Sequence, residues 1–212
     1  MGNNRIYNFE KDKEMKLIDA RRDLYRRLAH KEGYRSRAAY KLKELNQSYR
    51  IIGPGFNVLD LGCSPGGWTQ VSLELTGNRG KVMGIDKSYV EEIANAHIIK
   101  GDIEDESIVE LIFEYFETKV NALVCDLSPQ VTGTWSIDHA RQISLNYSAS
   151  KIMDHVLARK GNALFKVFDG QYSNEFRDYI KKKFSKIQLR KPKASRKTSS
   201  EIYYVCLGYL GS

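Results

Sequence analysis

The sequence predicts an α/β fold: a seven-stranded, mostly parallel sheet with one antiparallel strand and helices on both faces. Three observations lead there. After residue 55, short runs rich in Val, Ile, Leu and Phe alternate with longer amphipathic stretches, the pattern of a parallel sheet covered on both sides. The first run ends in a glycine-rich turn, "DLGCSPGGW" at 60–68, that opens a helical stretch. The last two runs are joined by a basic, Ser-rich loop, "KPKASRKTSS", with no helix between them, and so direct a return pairs its strands antiparallel.

Residues 34–50, "YRSRAAYKLKELNQSYR", precede the sheet and read as a helix. Ala39, Leu42 and Leu45 form its apolar stripe, Ser36 is the expected N-cap, and Arg35, Arg37, Lys41, Lys43 and Arg50 surround the stripe. Strands are expected at 57–61, 81–86, 96–101, 121–127 and 162–168, with the closing pair around 186–190 and 202–209. Helices are expected near 67–76, 105–117, 138–159 and 173–183. In the third of these, Ile143, Tyr147, Ile152, Val156 and Leu157 recur at roughly helical spacing. No internal repeat or low-complexity tract breaks the order. One domain is expected over 21–212, after a charged extension at 1–20.

The chain has 212 residues, 42% of them hydrophobic, enough to bury one sizeable core. No run of eighteen apolar residues is present, and the N-terminal stretch has no apolar segment of signal-peptide type. A cytoplasmic protein without membrane partners is therefore expected. Cys63, Cys125 and Cys206 lie far apart, each beside strand-like apolar residues, and are expected as reduced, buried thiols rather than metal ligands. The four histidines show no ligand spacing either, so no metal is expected. The net charge of +8 is unevenly spread. Residues 1–50 carry fourteen Lys/Arg against seven Asp/Glu, residues 51–176 ten against seventeen, and residues 177–212 ten against two. Two basic ends gathered on one face would attract a polyphosphate backbone, hence a nucleic acid.

The turn at 60–68 is a candidate cofactor loop. Gly62 ends the first strand, and Gly66 and Gly67 open the next helix, so backbone can approach a ligand closely at the carboxyl edge of the sheet. Asp86 ends the second strand, where a carboxylate can accept both hydroxyls of a ribose. Asp102 follows the third, where it can reach an exocyclic adenine amine. The loop spacing is G-x-x-x-G-G, not G-x-G-x-x-G; an acidic residue, Asp60, precedes the first glycine, and no Walker lysine is present. A cationic sulfonium suits an acidic middle better than a pyrophosphate does. S-adenosyl-L-methionine is the favoured cofactor, with a nicotinamide dinucleotide as the alternative.

Lys166 stands inside the apolar run "ALFKVFDG", where an unpaired ammonium is costly. Asp126 ends the fourth strand at the same edge as the glycine loop, and Glu201 begins the last strand there if that strand runs antiparallel. Lys41 lies on the helix before the sheet. Two lysines and two carboxylates are thus expected to converge beside the cofactor. For Trp68 and Trp135, core packing and a cofactor or RNA contact both stay open.

Here the sequence resembles the FtsJ-type family of RNA ribose 2′-O-methyltransferases. The resemblance covers roughly 21–210 and rests on "GYRSRAAYKL", "VLDLGCSPGGW", "CDLSPQVTG", "LFKVFDG" and "LRKPKASRKTSSEIYYV", all in order. It implies the Rossmann-like fold of class I methyltransferases. It also implies a catalytic Lys41, Asp126, Lys166 and Glu201, and cofactor contacts at Gly66, Trp68, Asp86, Asp102 and Asp126. Departures are slight: Cys63 and Ser64 stand where small residues are usual, and Ser128 where alanine is common.

The resemblance implies S-adenosylmethionine-dependent methylation of an RNA ribose, with a uridine in the A-loop of large-subunit ribosomal RNA as the favoured target. A tRNA anticodon loop is the runner-up, and a non-catalytic ribosome-assembly factor the alternative from another class. Lys166 is the expected proton acceptor. Arg35, Arg37, Lys191, Lys193, Arg196 and Lys197 border the expected cleft and could hold phosphates. The 2′-hydroxyl restricts the substrate to RNA and excludes DNA. A monomer is expected.

Overall fold

The computed structural model describes residues 24–196 and 198–211. The N-terminal extension at 1–20 and Lys197 lie outside the described residues. Helix α1 covers residues 24–31. The chain then runs α2 (Ala38–Tyr49), β1 (Val58–Leu61), α3 (Gly67–Thr76), β2 (Val82–Asp86), β3 (Ala96–Lys100), α4 (Ile108–Phe116) and β4 (Val120–Cys125). It continues through α5 (Trp135–Val156), β5 (Leu157–Phe168), α6 (Ser173–Lys181), β6 (Phe184–Arg190) and β7 (Glu201–Tyr209). Among the described residues, no helix is long and apolar enough to cross a membrane.

The seven strands form one sheet in the order β3-β2-β1-β4-β5-β7-β6. The pairs β1–β2, β1–β4, β2–β3 and β4–β5 are parallel; β7 is antiparallel to both β5 and β6. The strand order reverses between β1 and β4, and in open α/β sheets the crevice beyond the carboxyl ends at such a point binds ligands.

Side chains alternate between two cores because successive strand residues point to opposite faces. Leu59, Leu61, Met83, Ile85, Leu123 and Phe165 pack with α4, α5 and α6 through Ile112, Phe116, Ile152, Met153, Phe176 and Ile180. Val58, Val82, Val124, Leu164, Tyr203 and Val205 pack with α2 and α3 through Leu42, Leu45, Trp68 and Val71. In β5, Ala163, Phe165 and Val167 share one face. Lys166 therefore projects with Leu164 toward the α2 side. Cys63, Cys125 and Cys206 are buried free thiols.

Two expected boundaries shift. Helix α5 begins at Trp135 and gives way to β5 at Leu157, so 157–159 are strand rather than helix. A turn at Lys160, with φ of 66°, and a register shift between Val120 and Ala122 let Leu157 pair before the main run starts. Ser36 does not cap α2: the N-cap position is Arg37, with no side-chain cap. The Ser36 hydroxyl instead packs against the glycine loop, where a Cβ at Gly67 would lie 2.4 Å from it.

Candidate active site

A cleft of ≈ 810 Å³ opens at the carboxyl edge of the sheet. Its lining includes Gly62, Ser64, Asp86, Asp126, Ser128 and Lys166. The glycine loop forms one wall. Gly62 has φ of +79°, and a Cβ there would lie 3.0 Å from the Leu127 backbone, so only glycine lets β1 turn this close to the chain leaving β4. The Asp86 carboxylate secures the loop by accepting the backbone N–H of Ser64 at 3.0 Å and of Ser88 at 2.7 Å.

Asp60, on β1 before the loop, is fully buried. Its Oδ2 accepts the Thr69 hydroxyl at 2.7 Å, and its Oδ1 has no hydrogen-bond partner. Burial pushes the carboxyl up to about 7 against the pull of the Thr69 hydrogen bond, with the Asp126 and Asp86 charges adding to the rise.

Two ion pairs stand at the inner end. Lys41 Nζ lies 2.7 Å from Glu201 Oε2, and Lys166 Nζ lies 3.2 Å from Asp126 Oδ1. Lys166 Nζ also donates to the Asp126 carbonyl at 2.8 Å and to Ser128 Oγ at 2.6 Å. Both ammonium groups are buried. Antiparallel β7 brings its first residue, Glu201, to the edge where parallel β5 ends.

Tyr203, opposite Lys166 in the β5–β7 register, links the pairs: its ring lies 5.7 Å from Lys41 Nζ and 6.0 Å from the Trp68 ring. Burial, reinforced by the Asp126 and Glu201 charges, pushes its phenol far up, so it stays protonated. Burial alone would raise the Glu201 carboxyl; the Lys41 ammonium, helped by Lys166 and Arg37, overrides that and holds it low. The site thus combines an ionised Glu201 with two lysines positioned by carboxylates.

Sequence reasoning missed Tyr203, because only the strand register sets it opposite Lys166. Ser128 stood out only as a departure from the family pattern.

Other expected site residues have different surroundings. Trp68 is buried and donates its indole N–H to the Ala38 carbonyl at 2.8 Å, which makes it a core residue between α3 and α2. Gly66 and Gly67 shape the turn into α3. Asp102 pairs with Lys87 at 2.8 Å, and that bond holds its carboxyl low.

Among the expected phosphate ligands, Arg35 has an internal task. Nη1 donates to the Pro65 and Glu91 carbonyls and Nη2 to the Glu92 carbonyl, which braces the glycine loop against the segment after β2. Arg37 lies close enough to bias Glu201. Lys191 donates to the Ser199 carbonyl, the Lys193 backbone N–H to the Glu44 carboxylate, and Arg196 is exposed.

Residues 34–209 match the family model described as FtsJ-like methyltransferase. A protein of Nitrosopumilus maritimus named "Ribosomal RNA large subunit methyltransferase E" is 73% identical over 93% of this chain and 100% of its own length. One of the same name from Methanocaldococcus jannaschii is 43% identical over 95% of this chain and 84% of its own. A crystal structure of a Plasmodium falciparum protein, provisionally named a ribosomal RNA methyltransferase, superposes with a TM-score of 0.77. It is 33% identical and covers 84% of this chain and 100% of that one. With its sheet order and its glycine-loop cleft, the chain belongs to the FtsJ-like methyltransferase family.

Proposed function

We propose that this methyltransferase uses S-adenosyl-L-methionine to methylate a ribose 2′-oxygen in large-subunit ribosomal RNA, at a uridine of the A-loop. The observation that carries the reading is the meeting of Lys166–Asp126 and Lys41–Glu201 at the inner end of the cleft. The relatives' shared name supports the RNA class.

The lining fits this cofactor. Asp86 at the loop suits a ribose, and the Asp126 carboxylate in the lining suits a cationic group. A pyrophosphate fits less well, because two of the lining cations, Lys87 and Lys166, already face carboxylates. When bound, the cofactor supplies an electrophilic methyl group on a sulfonium.

Lys166 acts on the attacking hydroxyl. As a free amine it accepts the 2′-oxygen's proton; as an ammonium it holds the oxygen and its developing charge. Ser128 can accept from the ammonium or donate to the amine, so that contact survives either state. Asp126 orients Lys166, and Glu201 holds Lys41 in place beside it. Positioning of this kind supplies most of the barrier reduction, with general base help of about 10²- to 10⁴-fold.

The test is a map of 2′-O-methyl groups in total RNA from cells with and without the gene. Loss at one uridine, in the A-loop of the large ribosomal RNA, is expected. Loss confined to tRNA, or no loss anywhere, contradicts the reading.

A further inference from the structure

The start of α5, between the cleft-lining residues Gln130 and Arg141 in the chain, carries an aromatic cluster that the methyl-transfer chemistry does not use. Trp135, the first residue of α5, is half exposed and lies nearly parallel to two rings behind it. These are His139 at 5.7 Å and 16°, and Phe168 at 5.9 Å and 26°. His139 in turn stacks on Tyr172 at 5.6 Å and 9°. Val131 and Ile137 are exposed in the same segment.

The cluster is built rather than incidental. His139 is buried, and its Nε2 accepts the Tyr172 backbone N–H at 3.0 Å. Its Nδ1 is buried with no partner, a cost offset within the stack it forms with Trp135 and Tyr172. A Cβ at Gly170 would lie 2.9 Å from the His139 ring, so the glycine after Asp169 makes room for it. The neighbouring Asp138 is buried, and its carboxylate accepts the Thr132 N–H and hydroxyl and the Gly133 N–H, which ties down the loop leading into Trp135.

Residues adjoining the cluster in the chain reach the reaction site. Gln130 and Arg141, on either side of Trp135 in the chain, line the cleft. Phe168 lies two residues beyond Lys166 on β5, about 6.6 Å along a strand and the scale of one nucleotide step. Rings already held in place lose little freedom when another flat group covers them. An unpaired base has such a face, and aromatic platforms bind bases without reading their sequence.

We propose that Trp135, backed by His139, Phe168 and Tyr172, stacks an unpaired base next to the ribose being methylated and so holds the RNA in register. The proposal rests on the reading that the substrate is RNA. Trp135 is here a substrate-positioning residue, not a catalytic one.

The test uses the full chain and a short single-stranded oligoribonucleotide carrying the A-loop sequence. Of the two tryptophans, Trp68 is buried, so quenching of exposed tryptophan emission reports on Trp135. The oligonucleotide is expected to quench that emission, and one with abasic sites flanking the target is not. Trp135→Ala is expected to raise KM for RNA about tenfold with kcat little changed, Tyr172→Ala to raise it less, and Trp135→Phe to restore most of the loss.

Equal KM for wild type and Trp135→Ala, or equal quenching by intact and abasic oligonucleotides, overturns the platform. If the wild-type protein methylates no RNA, the function reading fails, and the quenching comparison still decides whether Trp135 stacks bases.

Discussion

At the scale of single residues, Asp60 bears the most unfavourable setting, a buried carboxyl with one oxygen unpartnered and a value raised to about 7. Below about pH 4 the folded and unfolded chains both hold its proton. Between about 4 and 7 the unfolded chain releases it first, so stability falls across that window and the loss is complete above it. At 1.36 kcal/mol per unit, the loss reaches on the order of 4 kcal/mol. Asp60→Asn should be more stable than wild type at pH 8, with the gap closing toward pH 4. Urea unfolding across that range checks it, and a pH-independent gap would count against a raised Asp60. The pairing of Lys166 at the sheet edge was legible because a lysine inside an apolar strand needs a partner. The partners of Arg35, Trp68 and Tyr203 were not, since each depends on a segment more than twenty-five residues away.

At the scale of elements, the turn from β1 into α3 is the joint on which the cleft depends. Gly62→Ala forces a Cβ to 2.9–3.0 Å from Leu127 at a backbone angle that L-residues rarely adopt. A loss of about 1–3 kcal/mol is expected, together with weaker cofactor binding. Thermal melts with and without S-adenosylmethionine test this; an unchanged melting temperature would sink it. The strands were legible because parallel strands buried on both faces read as continuous apolar runs. The start of α5 was not: its N-cap, Thr134, makes no side-chain cap, and Asp138 reaches back to Thr132 and Gly133 instead. The end of α5 was blurred by Leu157, which continues the apolar helical spacing while pairing with Val120 as strand.

At the scale of the molecule, charge divides the labour. The acidic middle supplies Asp86 and Asp126 to the cleft, and the basic segments at 24–50 and 177–211 approach each other where the Lys193 N–H meets Glu44. RNA affinity should therefore fall at least about tenfold between about 50 and 200 mM salt, while the S-adenosylmethionine dissociation constant shifts less than about twofold. Equal salt dependence for both ligands would argue against a phosphate-binding surface. The three thiols report on the integrity of the core: burial pushes Cys125 up to about 12 and drives Cys63 and Cys206 up as well. None should react with a thiol reagent until the chain unfolds, and rapid labelling of the native protein would contradict the packing. The most direct measurement is single-turnover methyl transfer to large-subunit ribosomal RNA by wild type and Lys166→Met, with both ligands' dissociation constants measured in parallel. The predicted result is a rate lowered about 10²- to 10⁴-fold with binding of RNA and cofactor nearly intact. A Lys166→Met protein that transfers methyl groups at close to the wild-type rate would contradict the account.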